Sequence, residues 1–302
     1  MFIVDMHCDS LGAVTAEQGL VSNYNMSAEH PQLQFFAEFV PAGAEAPEAR
    51  RRKLMHYLDV YISEVNRLGL NVIHSCQDIN RALQIGGRSA LLSVEGGGGL
   101  FADSEELNTL YRMGLRVLGM VWDTNELGTS AWDREDNGLT SAGEDMVQRC
   151  SEMGIILDVS HLSDKSLERT LEISAYPVLA THSNFREVCA SPRNLTLPQA
   201  KKIVARGGVI GLNLYPSFLA DSPVATAEDI YAQVDYALAK LGPSALSLGC
   251  DVDGTDGQYP DGFNESGSIH DRLLELLWRR YPESTVEAVM GGNALAFLKQ
   301  NL

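Results

Sequence analysis

The chain holds no apolar run approaching the roughly 18 residues that a membrane-spanning helix requires. Its opening, MFIVDMHCDS, reaches an acid after four residues with no basic stretch leading into an apolar segment, and the closing ALAFLKQNL is short and polar. Neither a leader peptide nor an anchor is therefore expected, and the reading is a soluble, cytoplasmic protein. Cysteine is sparse: five residues, an odd number, none in a CxxC pair, which counts against a disulfide framework and a zinc ribbon. Cys8 and Cys250 flank acids of interest and are expected to be buried thiols. Basic residues are outnumbered, 23 Lys and Arg against 40 Asp and Glu, for a net charge of −17 at pH 7. That charge argues against nucleic acids and anionic membranes as partners, because both are held by cations that displace counterions. No GxSxG elbow and no GxGxxG after a strand is present, and the Gly96–Gly99 run lacks a following GK[ST]. Serine hydrolases, dinucleotide enzymes and phosphate-loop proteins lose their signatures together.

What remains is a chain of 302 residues, 45% hydrophobic and 21% charged, which suits one globular domain spanning residues 1–302. The length is close to a (β/α)8 barrel of roughly 250 residues plus insertions. Short β-rich segments alternate with amphipathic ones throughout. Eight strands are expected at Phe2–Asp5, Leu33–Val40, Ser89–Val94, Val117–Val121, Ile155–Val159, Pro177–Thr181, Val209–Leu214 and Leu246–Gly249. Between them, helical periodicity marks Arg51–Leu68, Ser104–Met113, Gly143–Met153, Lys165–Ile173, Pro198–Ala205 and Ala227–Leu241. Start signals lie at Thr140 or Ser141 and at Ser163 with Asp164. The stretch PAGAEAPEAR, residues 41–50, is the most linker-like and reads as a barrel loop.

Barrel enzymes gather chemistry where the strands end. His7 and Asp9 follow the first expected strand, Glu95 the third, His161 the fifth, His182 the sixth and Asp251 the eighth. Three of the seven histidines occupy such ends, while His30, His56, His74 and His270 fall in loops or helices. A lone strand-end histidine is usually structural; six ligand-type residues at strand ends are a constellation. His7 and Asp9, two apart on an extended exit, share a face and can reach one cation. Imidazoles with carboxylates suit zinc or another borderline divalent ion, and the set exceeds one tetrahedral centre. A two-metal site with Glu95 as bridge follows, and the glycines after Glu95 let backbone pack close to it. Two such ions hold a bridging hydroxide and polarise the carbonyl it attacks. Asp251 is the expected proton carrier to the leaving amine.

The stretches VDMHCDSL, ALLSVEGGGG, GIILDVSHLSDKSL, PVLATHSNFREVCASPRNLT, GVIGLNLYPSFL and LGCDVDG together resemble the membrane (renal) dipeptidase family of zinc peptidases, in the family's order across nearly the whole chain. The resemblance implies a (β/α)8 barrel with two zinc ions, His7, Asp9 and Glu95 on one, and Glu95, His161 and His182 on the other. It also implies Asp251 as acid and base, Arg193 as the ligand of a dipeptide's C-terminal carboxylate, and Tyr215 as a pocket residue. One departure stands out: where family members such as the renal enzyme carry a histidine after the fourth strand, this chain has Trp122, followed by Asp123 and Asn125. The alternatives are a related barrel amidohydrolase acting on a cyclic or β-lactam amide, and an inactive binding homologue. The HxD pair and a glutamate bridge favour the dipeptidase. Manganese or cobalt would also suit the ligands, and self-assembly is left open.

Overall fold

Nine parallel strands occur among the residues described in the computed structural model, which are all except 13, 15–18, 22–24, 28, 41–45, 223 and 264–266. They are β1 (Ile3–Asp5), β2 (Gln32–Phe39), β3 (Asn71–Val72), β4 (Arg88–Glu95), β5 (Leu115–Gly119), β6 (Ile156–Asp158), β7 (Leu179–Ala180), β8 (Val209–Leu212) and β9 (Leu246–Leu248). The sheet runs β2-β1-β9-β8-β7-β6-β5-β4, and β2 also pairs with β4, so eight strands close on themselves. This is the (β/α)8 barrel that the alternating pattern implies. β3 lies outside the ring, pairing with Ser89 and Ala90 of β4. Two residues are too few to show a strand period in sequence.

The helices are α1 (Pro47–Leu68), α2 (Cys76–Ile85), α3 (Glu105–Met113), α4 (Ser141–Met153), α5 (Asp164–Ile173), α6 (Leu197–Ala205), α7 (Pro216–Leu219), α8 (Ala227–Leu241), α9 (Ile269–Trp278), α10 (Glu283–Glu287) and α11 (Asn293–Asn301). Thr140 caps α4 by accepting from the Gly143 amide, and Ser163 caps α5 by accepting from Ser166. The linker-like stretch needs correction. Residues 41–45 lie outside the described residues, and residues 47–50 form the first turn of α1, opened by Pro47, a residue pre-set for that position. None of the described helices is long and apolar enough to cross a membrane.

Alternation along the strands sorts side chains into two layers. Val4, Phe35, Leu91, Val117, Ile156, Leu179 and Val209 fill the barrel interior, where Ile79 of α2 and Phe297 and Leu298 of α11 join them. Their strand neighbours Ile3, Phe36, Leu92, Leu118, Leu157, Ala180 and Ile210 belong to the shell between barrel and helices. The inner apolar layer uses the early part of each strand. The late part is left for polar side chains.

Strands β7, β8 and β9 approach closely: a Cβ on Gly211 or Gly249 would sit 1.8 Å from the Thr181 carbonyl oxygen. Gly211→Ala is therefore expected to lower stability by about 3 kcal/mol, read from urea unfolding. An unchanged unfolding midpoint contradicts this packing.

Candidate metal centre

Four side chains from three strand ends converge on Glu95, the last residue of a fourth strand. His7 and Asp9 leave β1, Glu95 closes β4, His161 follows β6 and His182 follows β7. Glu95 Oε2 lies 3.6 Å from His7 Nε2, whereas Oε1 lies 2.8 Å from His161 Nε2 and 3.3 Å from His182 Nε2. One carboxylate thus turns an oxygen to each half of the cluster. Ligand-type atoms of His7, Asp9 and Glu95 all lie within 4.8 Å of one another, as do those of Glu95, His161 and His182, and those of His7, His182 and Asp251.

Whether this set fits a divalent cation can be judged from its hydrogen bonds. His7 Nε2 is buried without a partner, with Asp9 Oδ2 at 3.6 Å and Asp251 Oδ1 at 3.8 Å, beyond hydrogen-bonding range. Asp9 Oδ1 and His161 Nδ1 are also unpartnered. His161 Nε2 is within hydrogen-bonding distance of Glu95 Oε1 (2.8 Å) and His182 Nε2 (2.9 Å), so the unmet donors lie on the His7 and Asp9 side, and imidazoles and carboxylates gathered this closely match the donor chemistry of zinc and its neighbours.

The charges agree. Burial, reinforced by the Asp9 carboxylate, pushes Glu95 up to about 7. Burial likewise pushes Asp251 up to about 6. Burial opposes the charged form of His7, but Glu95 and Asp9 outweigh it and its pKa lies well above the usual value. Burial holds His161 and His182 well below theirs, which favours the neutral imidazole that a metal takes as ligand.

Behind the cluster, polar networks set orientation. Asp158 accepts from the Thr181 amide at 2.9 Å and from Thr181 Oγ1 at 2.5 Å. Because the Thr181 hydroxyl donates to Asp158, it is left to accept from His182 Nδ1 at 2.8 Å. The lone pair of His182 then sits on Nε2, facing Glu95. Asp5 forms a second support: its Oδ1 accepts from the amides of His7 (3.2 Å) and Cys250 (2.9 Å), and its Oδ2 pairs with His270 Nε2 at 2.7 Å. The exits carrying His7 and Asp251 hang from one fully buried hydrogen-bonded pair, Asp5 with His270. Neither Asp5 nor His270 was singled out from sequence as a site residue. They are 265 positions apart, and only the placement of Asp5 two residues before His7 was a signal.

Asp251 Oδ2 accepts from Asn213 Nδ2 at 3.0 Å, and its backbone has φ 61°, unusual for a side chain bearing a Cβ. Gly254 makes room, since a Cβ there would sit 2.2 Å from both Asp251 Oδ1 and Asp9 Oδ2. Cys8 and Cys250 are buried, with thiols pushed up by burial.

A cavity of about 460 Å³ opens beside the cluster, lined by Asp9, Glu95, His161 and Asp251 together with Trp122, Asp123, Trp132, Tyr215 and Phe218. A larger cavity of about 680 Å³ lies at Pro31, Gly87 and Arg88, where strands begin, and shares no residue with the cluster. Trp122 packs edge-on against Phe39 at 4.9 Å and stands 6.0 Å from the His161 ring. Asn125 donates to the Met120 carbonyl and accepts from the Leu127 amide, which gives it a structural post outside the cavity lining. Arg193 is 2% exposed and donates to Ser183 Oγ at 3.1 Å and the His182 carbonyl at 3.0 Å, while its Nε has no partner. Burial lowers its pKa to about 10.

The sequence pattern of the membrane dipeptidase family, peptidase family M19, matches residues 1–301. The chain belongs to the membrane dipeptidase family. A Klebsiella pneumoniae protein described as uncharacterized, in the pqqA 5′ region, is 30% identical over 76% of this chain and 88% of its own length. Mouse dipeptidase 3 is 25% identical over 88% of this chain but 55% of its own length, so the chain spans about half of that relative. A solved Rhodobacter sphaeroides metallopeptidase, bound to a phosphinate mimic of the dipeptide L-Ala-D-Ala, superposes with a TM-score of 0.84 at 22% identity, covering 100% of this chain and 99% of that one. That likeness speaks for the fold. Divalent metal use comes with the membrane dipeptidase family, and the cluster at Glu95 has the donors for it.

A pH dependence follows. The raised values of Glu95 and His7 mean that the metal-free folded chain binds protons the unfolded chain releases, so it loses stability as pH rises. Protonation of His161 and His182 acts oppositely, below their ordinary value of 6.5. Between about pH 6.5 and 8, the stabilisation given by added divalent metal is therefore expected to grow, as cations replace protons among the carboxylates. Melting temperatures with and without metal at both ends of that window check this. A constant gap contradicts it.

Proposed function

We propose that residues 1–302 form one catalytic unit, a two-metal dipeptidase that cleaves dipeptides bearing a free C-terminal carboxylate. His7, Asp9 and Glu95 would hold one divalent ion, and Glu95, His161 and His182 the other, with zinc the best match to this donor set. The observation that carries the reading is the division of Glu95, one oxygen at 3.6 Å from His7 and the other at 2.8 Å from His161. When bound, such a pair of cations supplies an acidified water and a Lewis acid for the scissile carbonyl.

The chain's own residues supply the rest. Asp251, raised to about 6 chiefly by burial, is poised to accept a proton near neutral pH and return it to the leaving amine. Asn213 holds its Oδ2 at 3.0 Å and so leaves Oδ1 toward the cluster. Arg193 is the proposed partner of the substrate carboxylate. A buried guanidinium whose described hydrogen bonds go to a hydroxyl and a carbonyl, with Nε unpartnered, has a donor that a carboxylate would satisfy. Tyr215 and Trp122 wall the cavity, and Asp123 is the acid that the loop after β5 presents there. With Trp122 at this position the loop offers an apolar face where an imidazole donor would stand in relatives such as the renal enzyme. Turnover of generic dipeptides is accordingly expected to be weaker and side-chain preference narrower.

The test is a comparison of free and amidated dipeptides on the metal-loaded protein. The parent is expected to cleave the free forms and refuse the amides. Arg193→Ala is expected to lose on the order of 2–5 kcal/mol of transition-state binding toward free dipeptides, and Arg193→Lys to recover only part, since it lacks the planar fork. Equal rates on both substrate forms in parent and variants contradict the assignment.

A further inference from the structure

We infer that Trp132 and Phe218 select substrates whose C-terminal residue carries a bulky apolar side chain. The inference rests on the dipeptidase reading and on Arg193 as its carboxylate anchor.

Phe218 is the centre of an aromatic wall that begins at that anchor. The Arg193 guanidinium carbon lies 5.6 Å from the Phe218 ring centroid. Phe218 in turn stands 5.7 Å from the Trp132 ring and 4.9 Å from that of Tyr215. All three aromatics line the cavity of about 460 Å³. In a dipeptide, the Cα of the C-terminal residue is one bond from the carboxylate, so its side chain branches off beside whatever holds that carboxylate. The ring beside Arg193 is that of Phe218, and Trp132 and Tyr215 flank it.

The wall is held rigidly. The Phe218 carbonyl accepts from Asn194 Nδ2 at 2.9 Å and from Asn184 Nδ2 at 3.1 Å, so the neighbour of Arg193 in sequence fixes the backbone of Phe218. Trp132 belongs to the loop after β5, which is tied to the metal centre by the Ala131 amide donating to the His161 carbonyl at 3.0 Å. Ser130 Oγ donates to the Trp122 carbonyl at 2.7 Å. Yet Trp132 remains 47% exposed while Phe218 is buried. A large apolar ring held in place at the cavity mouth, with one face open, is surface that an apolar side chain can cover. Small C-terminal residues leave it in water.

The experiment measures kcat and KM for Ala-Gly, Ala-Leu and Ala-Phe with the metal-loaded parent, Trp132→Ala and Trp132→Phe. The parent is expected to favour Ala-Phe over Ala-Gly by about tenfold in kcat/KM, the scale on which apolar pockets discriminate. Trp132→Ala should erase most of that ratio, chiefly by raising KM for Ala-Phe, and Trp132→Phe should restore it. If Ala-Gly is cleaved but the ratio is the same in parent and Trp132→Ala, or the parent prefers Ala-Gly, the selectivity inference is overturned and the dipeptidase reading stands. If the parent cleaves none of the three, the dipeptidase reading fails and takes this inference with it.

Discussion

A carboxylate buried among other carboxylates is the constraint around which this molecule is arranged. Glu95 shares its space with Asp9 and Asp251, and burial first, with the neighbouring carboxylates adding to it and His7 opposing it, raises Glu95 to about 7 and Asp251 to about 6. The barrel supplies the geometry that makes such crowding useful. Strands from around the ring deliver one or two ligand-type residues each to one end, while the apolar interior layer of Val4, Phe35, Leu91 and Val117 keeps the rest of the barrel packed. Stability and chemistry are thus separated along the strand, with packing early and polar groups late.

The supports behind the cluster address the same problem. Asp158 sets the hydrogen-bonding face of His182 through Thr181, and Asp5 with His270 ties the exits of β1 and β9 together. Removing one partner of that fully buried pair would leave a buried polar atom without its hydrogen bond, an effect larger than the pair's own net contribution. Backbone strain concentrates in the same place, where Asp251 and Asp253 both have positive φ. The far side of the cavity is built differently, from the rings of Trp132, Tyr215 and Phe218, with the buried Arg193 guanidinium beside Phe218.

Much of this was legible in the sequence. Short β-rich segments located the eight barrel strands to within one or two residues of their observed bounds, because a strand buried on both faces is dense in apolar and β-branched residues. Once strand ends were placed, His7, Asp9, Glu95, His161, His182 and Asp251 could be read as one group, and the structure brings them together. Contacts set by long-range register were not legible. His270 lies in α9 and reaches Asp5 only because α9 packs back on β1. Asn213 meets Asp251 only because β8 and β9 are neighbours. Trp132 sits in a loop whose path is set by bridges such as Ser130 with Leu162, and loops carry no period. The start of α1 was hidden by an Ala- and Pro-rich stretch that reads as linker.

The central claim is that Glu95 serves two ions at once, and elemental analysis of zinc-loaded protein, parent beside Glu95→Gln and His7→Ala, tests it directly. The account predicts two ions per chain in the parent, joint weakening of both sites in Glu95→Gln, and retention of one ion in His7→Ala, where Glu95, His161 and His182 remain. A parent that holds no more than one ion after loading, or a Glu95→Gln protein that keeps one site at full affinity, would contradict it.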